Sequence, residues 1–294
     1  MKIYQALISI IIIVFLSSCS SKDNQPDAYG QFEATEIIIS SEVQGKLIKW
    51  DVEEGKRYHA NTLLGVIDTT SLYLKKQQLL AQLKTINAKF PNISTQLNVL
   101  NQQKKNLESE KERFTKLVKE NAATQKQLDD IINNISVIEK QIENVKTQNQ
   151  LVTGEIETLQ YQIKQVDDQL QKCYIRMPLD GDVLEKYVEY SELVLPSKVL
   201  IKVADLNNII FRCYVDEEQL SQIKLGNVAK VYVDNGNNLK EFQGKISWIS
   251  SQAEFSPKII QNRDERKNLV YAVKILLKND GSLKIGMLGD VRFK

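Results

Sequence analysis

The sequence predicts an α+β fold: a small β domain cut open by a long antiparallel coiled-coil hairpin and followed by a small antiparallel β-barrel. Three observations carry that expectation. Residues 72–173 keep a seven-residue apolar repeat with almost no Gly and a single Pro. Short β-rich segments on either side of that stretch repeat one another at a fixed offset. The last third alternates apolar and polar residues between turn signals.

Composition narrows the function classes first. The 294 residues carry a net charge of +2, with no basic tract and no aromatic-basic patch, which argues against nucleic acid as a partner. His59 is the only histidine, placed where a solvated loop is expected, so a His-based triad or zinc site has nothing to build on. No Cys-x-x-Cys pair and no Gly-x4-Gly-Lys-Ser/Thr loop occurs. Cys173 and Cys213 read as buried, unpaired thiols.

Residues 1–18 read as a signal peptide: Lys2 gives the positive end, and 3–16 form an apolar run short for a membrane span. The run closes on Leu16-Ser17-Ser18-Cys19, which resembles the bacterial lipobox and implies lipidation of Cys19; an uncleaved helical anchor is the other reading. Several acyl chains, at about 0.8 kcal/mol per buried CH₂, hold a protein firmly on a membrane. Residues 19–34 are expected to be that lipidated end and a polar tether.

Residues 35–70 and 174–204 are the repeat. At an offset of 136, Gly45, Leu47, Val52, Glu53, Leu64 and Ile67 align with Gly181, Val183, Val188, Glu189, Leu200 and Val203, while Gly55 falls on Ser191. Each copy reads as short strands between turns and is too small to bury a core alone. The halves are therefore expected to pair into one domain.

Between them, residues 71–173 form the hairpin, each arm about 50 residues and roughly 75 Å long at 1.5 Å per residue. Residues 120–124 fold the arms back on each other. At that tip Leu117 offers an apolar contact, Arg113 a fork of donors, and Thr124 a cap for the returning helix. Pro91 interrupts the first arm opposite the neighbourhood of Gly154, which predicts a kink and suggests a hinge there.

Residues 205–294 carry the barrel: strands at 209–215, 228–233, 271–277 and 283–293, a helix at 217–223, and a strand on which Phe242, Ile246 and Trp248 alternate.

The two Gly-x-hydrophobic…Val-x-x-Gly half-motifs resemble the biotinyl/lipoyl domain. Their interruption by a coiled-coil hairpin, with the tract 174–181, resembles the HlyD family of periplasmic adaptors, also called membrane fusion proteins. Runs at 215–226, 253–258, 266–273 and 283–287 are similar to that family's barrel domain. Arg113, Leu117 and Thr124 resemble the tip motif by which these adaptors meet a TolC-type outer-membrane channel, with Thr where Ser is usual. The resemblance implies a non-enzymatic subunit of a tripartite efflux or secretion system. Its partners would be an inner-membrane transporter, ABC or other, the channel, and further copies in a ring, expected to be a hexamer. The chain would lie in the periplasm of a Gram-negative bacterium, lipid-anchored at the inner membrane. No cofactor is implied, because Asp68-Thr69-Thr70 stands where a carrier domain presents its modified Lys. The other readings are a structural coiled-coil lipoprotein and a carrier subunit, and the membrane-proximal domain of some family members is expected to be absent or reduced to residues near 29–34.

Overall fold

A computed structural model describes residues 26–236, 238–255 and 269–293; the signal peptide and Cys19 lie outside them. The described chain opens with β1 (Ala28–Glu33), which joins the barrel at the far end of the sequence.

The repeat folds as one domain whose two sheets each draw on both halves. Before the helices come β2 (Glu36–Ser40), β3 (Gly45–Trp50), β4 (Arg57–Tyr58) and β5 (Leu63–Ile67); after them come β6 (Tyr174–Arg176), β7 (Gly181–Lys186), β8 (Leu193–Val194) and β9 (Val199–Ala204). Sheet I has the order β2-β9-β7-β4 and sheet II the order β6-β5-β3-β8. Exchanging each strand for its repeat mate converts one sheet into the other, so the halves are related by an approximate two-fold. Loop hydrogen bonds obey the same exchange: Gly55 N–H donates to Val183 O at 2.8 Å and Ser191 N–H to Leu47 O at 2.9 Å. Leu47, Val183, Leu64, Leu200, Ile67 and Val203 are 0–1% exposed in the shared core. Each such side chain contributes about 1.5–3 kcal/mol by burial, and neither half keeps these neighbours alone. Gly45 and Gly181 stand at mated positions where strands pass too closely for a side chain: an added Cβ would lie 2.5 Å from Ile67 Cγ2 and 2.7 Å from Ala204 O, respectively.

The hairpin rises between β5 and β6 as α1 (Thr70–Asn87), α2 (Phe90–Lys119) and α3 (Gln125–Lys172). Asp68 Oδ1 accepts from Thr70 N–H at 2.9 Å and starts the first helix. In α3, Ile131, Ile135, Ile142, Val145, Val152, Leu159 and Val166 are buried, the apolar stripe of the sequence. In the first arm only Leu79 of the stripe is buried; its other positions are half-buried, except Lys111, which is exposed. Two lysines in that stripe find partners across the seam: Lys76 to Asp167 at 2.6 Å and Lys104 to Glu139 at 2.7 Å. Exposed pairs are worth about 0–1 kcal/mol and buried aliphatics more, so the apolar seam holds the rod and the lysines set its register. No described helix is long and apolar enough to cross a membrane.

The barrel consists of β1, β10 (Asn208–Val215), β11 (Val228–Asn235), β12 (Asn238–Ile249), β14 (Leu269–Lys278) and β15 (Leu288–Arg292), with β13 (Glu254–Phe255) as an extra edge on β14. The order β10-β1-β15-β11-β12-β14 closes through a β10–β14 pairing. Residues 28–33, expected as tether or domain remnant, are thus a barrel strand held on both edges. Their polar surroundings in sequence hid an alternation in which Ala28 and Phe32 point inward. Phe32 packs on Phe211, ring centroids 4.9 Å apart. Gly30 faces Gly289 across β1 and β15, and a Cβ on Gly30 would lie 2.2 Å from Arg212 O; small residues let the strands curl shut. The short helix α4 (Glu217–Leu220) ends three residues before the expected stop. Trp248 departs from the expected alternation. A β-bulge between Ile246 and Trp248 turns the indole outward, 40% exposed, with Lys274 Nζ 5.3 Å from its ring centroid.

Candidate docking site at the hairpin tip

The turn is built by two capping motifs. α2 ends in a Schellman arrangement in which Asn121, at φ 58°, takes the left-handed position. Its N–H donates to Val118 O at 3.1 Å, and Ala122 N–H donates to Leu117 O at 2.8 Å. α3 begins with a capping box: Thr124 Oγ1 accepts from Gln127 N–H, and Gln127 Oε1 accepts from Thr124 N–H at 2.9 Å. Lys116 and Lys119 sit in the last turn of α2, where the helix dipole favours positive charge.

Arg113, Leu117 and Thr124 are all brought to this end. Arg113 is 67% exposed at its side chain and touches Glu110 Oε1 at 3.4 Å, so most of its five donors face solvent. Its guanidinium also lies 5.5 Å from the Phe114 ring centroid. Leu117 is half-buried, and the Thr124 hydroxyl is committed to its cap. The tip therefore presents one donor fork and one half-buried apolar side chain on a turn capped from both sides. Asn121 and Gln127 complete it, and sequence reasoning passed over both. The Thr-x-x-Gln spacing signals the second; for the first, only asparagine's tolerance of positive φ points to it.

Pro91 and Gly154 are not at the tip. Pro91 lies in the first turn of α2, just past the break between α1 and α2, whereas α3 runs unbroken through Gly154. Ala88 and Lys89 keep right-handed helical angles, so the break is a local loosening rather than a turn. A 3.5 Å pair between Lys89 and Glu155 places it beside Gly154.

Elsewhere the described residues hold no group of three or more His, Cys, Asp or Glu side chains suited to a metal. Cys173 and Cys213 are buried and unpaired, and burial pushes the Cys213 thiol up to about 12. His59 is 86% exposed, 3.5 Å from Asp180. The bond from Ala60 N–H to that carboxylate, together with His59, holds it below the usual range.

No family model matches the chain. A UPF0194 membrane protein of Yersinia pseudotuberculosis serotype O:3 (strain YPIII) is 35% identical over 125 residues, 42% of this chain and 38% of the relative. The UPF0194 membrane protein YbhG of Salmonella gallinarum (strain 287/91 / NCTC 13346) is 33% identical with the same coverage. The match thus spans under two-fifths of these relatives' length. Among solved structures, MacA from Actinobacillus actinomycetemcomitans is similar with a TM-score of 0.60 and 20% identity, over 90% of this chain and 76% of that one. The membrane fusion protein Spr0693 from Streptococcus pneumoniae R6 gives 0.54 and 16%, over 90% and 97%. A MacA-MexA chimera carrying the Pseudomonas aeruginosa MexA α-hairpin gives 0.57 and 19%, over 91% and 82%. The fold of this chain is that of the membrane fusion proteins.

Proposed function

We propose that this chain is a periplasmic adaptor of a tripartite efflux or secretion system, linking an inner-membrane transporter to a TolC-type outer-membrane channel. One observation carries the reading: a rod whose returning arm alone has 48 residues, about 72 Å at 1.5 Å per residue, stands on a domain that its insertion leaves intact. Such a rod spans distance, and its tip displays Arg113 and Leu117. The role is geometric rather than catalytic. Several copies, six on the expected plan, form a ring whose β domains face the transporter and whose tips face the channel. The split domain is read as lipoyl/biotinyl-like without its modified Lys. Lipid on Cys19 anchors the base at the inner membrane of a Gram-negative cell. In this scheme Pro91 and Gly154 act as a hinge that lets the tips splay.

The test is recovery of the channel. Arg113→Asp with Leu117→Ser, made in the full chain, is expected to lower channel capture at least about tenfold through loss of the charge-assisted bonds and the apolar contact. Helix content should stay unchanged by circular dichroism. Undiminished capture removes the tip from the docking site.

A further inference from the structure

The outer faces of the two sheets carry opposite charge at mated positions. We propose that they are the two sides of one self-docking surface, sheet II of one copy seating on sheet I of the next. The inference rests on the reading that several copies assemble, and it names where they touch.

At the offset of 136, Lys46 is mated to Asp182 and Lys49 to Glu185, while Ile38 is mated to Tyr174 and Ile48 to Leu184. Apolar character is kept and charge is inverted. The strands of sheet II contain Lys46, Lys49 and Arg176 and no carboxylate. The outer face of sheet I holds Glu36, Asp182 and Glu185 around Lys202 and Arg57. Lys186 of the same sheet pairs in register with buried Ile201 on the inner side and reaches Glu189 at 2.7 Å.

Some of this charge is engaged within the chain. Lys202 lies 3.1 Å from Glu185 and 3.5 Å from Glu36, and Arg57 lies 2.9 Å from Asp182. On sheet II, Lys49 pairs with Asp51 at 3.1 Å, and Arg176 donates to Asn61 O at 2.9 Å. Sheet I still keeps an excess of carboxylate and sheet II an excess of cation. Both also expose apolar area: Ile38 is 58% exposed on one, Ile48 47%, Tyr174 39% and Leu193 65% on the other.

Charge decides the mode of contact. A symmetric dimer through either face would set that face on its own copy, the Lys46 and Lys49 side on the same cations or the Glu36 and Glu185 side on the same carboxylates. Sheet I against sheet II instead sets the carboxylate-rich face on the cation-rich one, with exposed apolar side chains on both. That contact is head-to-tail, the kind that closes a ring when the rotation from copy to copy divides a full turn. Exposed ion pairs add little affinity; they choose partner and orientation, while the isoleucines and tyrosine supply the buried area.

The test uses two full-length variants in mild detergent, followed by sedimentation velocity, with circular dichroism to verify folding. Lys46→Glu with Lys49→Glu makes both faces acidic; Glu36→Lys with Glu185→Lys makes both basic. Each alone should self-associate about tenfold or more weakly than the native chain, and an equimolar mixture should recover the native association. Should Glu185→Lys unfold the sheet by stripping Lys202 of its partner, Glu36→Lys with Ile38→Lys poses the same question from the edge strand. Variants that associate like the native chain overturn the inference while assembly through another face stands. A native chain that stays monomeric overturns the assembly reading and this contact together.

Discussion

Ser191 holds a backbone conformation that glycine holds in the other half of the repeat: φ is 76° at both Gly55 and Ser191. Asn61 and Ser197, also mates, share it at 64° and 69°. An L-residue in this region costs about 1–2 kcal/mol, and the serine bears it because its N–H must reach Leu47 O. Ser191→Gly is therefore expected to raise stability by about 1 kcal/mol in chemical denaturation; an unchanged midpoint would mean the turn relaxes around serine without strain. The offset alignment made the Gly-to-Ser exchange legible. It could not tell whether the turn would change shape or the residue would strain. Nor could it give partners for Lys76 and Lys104, since a lysine in an apolar stripe looks like an interruption until the facing arm supplies a carboxylate.

At the scale of elements, the seam was legible because thirteen helical turns of one periodicity leave few alternatives, and the hairpin follows once the stripe is interrupted at a single short turn. Two features were not. The bulge that turns Trp248 outward depends on how β12 matches β14, which no window of one strand contains. The break in the first arm fell just before Pro91, as proline's missing N–H demands, but Gly154 opposite left its helix intact. Helix interiors tolerate glycine at about 1 kcal/mol, and the flanking turns of α3 are strong enough to absorb that. Pro91→Ala with Gly154→Ala should therefore stiffen the rod, because a Cβ at 154 meets no heavy atom within 4 Å and residue 91 regains a donor. Spin labels at tip and base should then give a narrower distance distribution, with a higher midpoint of thermal unfolding. An equally broad distribution would make the break a static bend.

Seen whole, the molecule is an insertion within an insertion. The barrel opens after β1 to admit the split domain, and the split domain opens after β5 to admit the hairpin. The inner cut is closed at its stem by Ile67 N–H donating to Cys173 O at 2.9 Å. Replacing residues 70–172 by a short Gly-rich turn is thus expected to leave both β domains folded, with one cooperative transition and the helical circular dichroism lost. A product without cooperative unfolding would show that the rod helps to hold the halves together. The inner insertion was legible from a repeat; the outer one was not, because six residues of β1 repeat nothing and find their place only between two strands from the other end of the chain. That placement has a mechanical side. Any pull on the segment preceding Pro26 is delivered along β1, antiparallel to β10 on one edge and β15 on the other. Interstrand bonds perpendicular to such a load must give way together rather than one after another, so β1 resists it in shear along both edges.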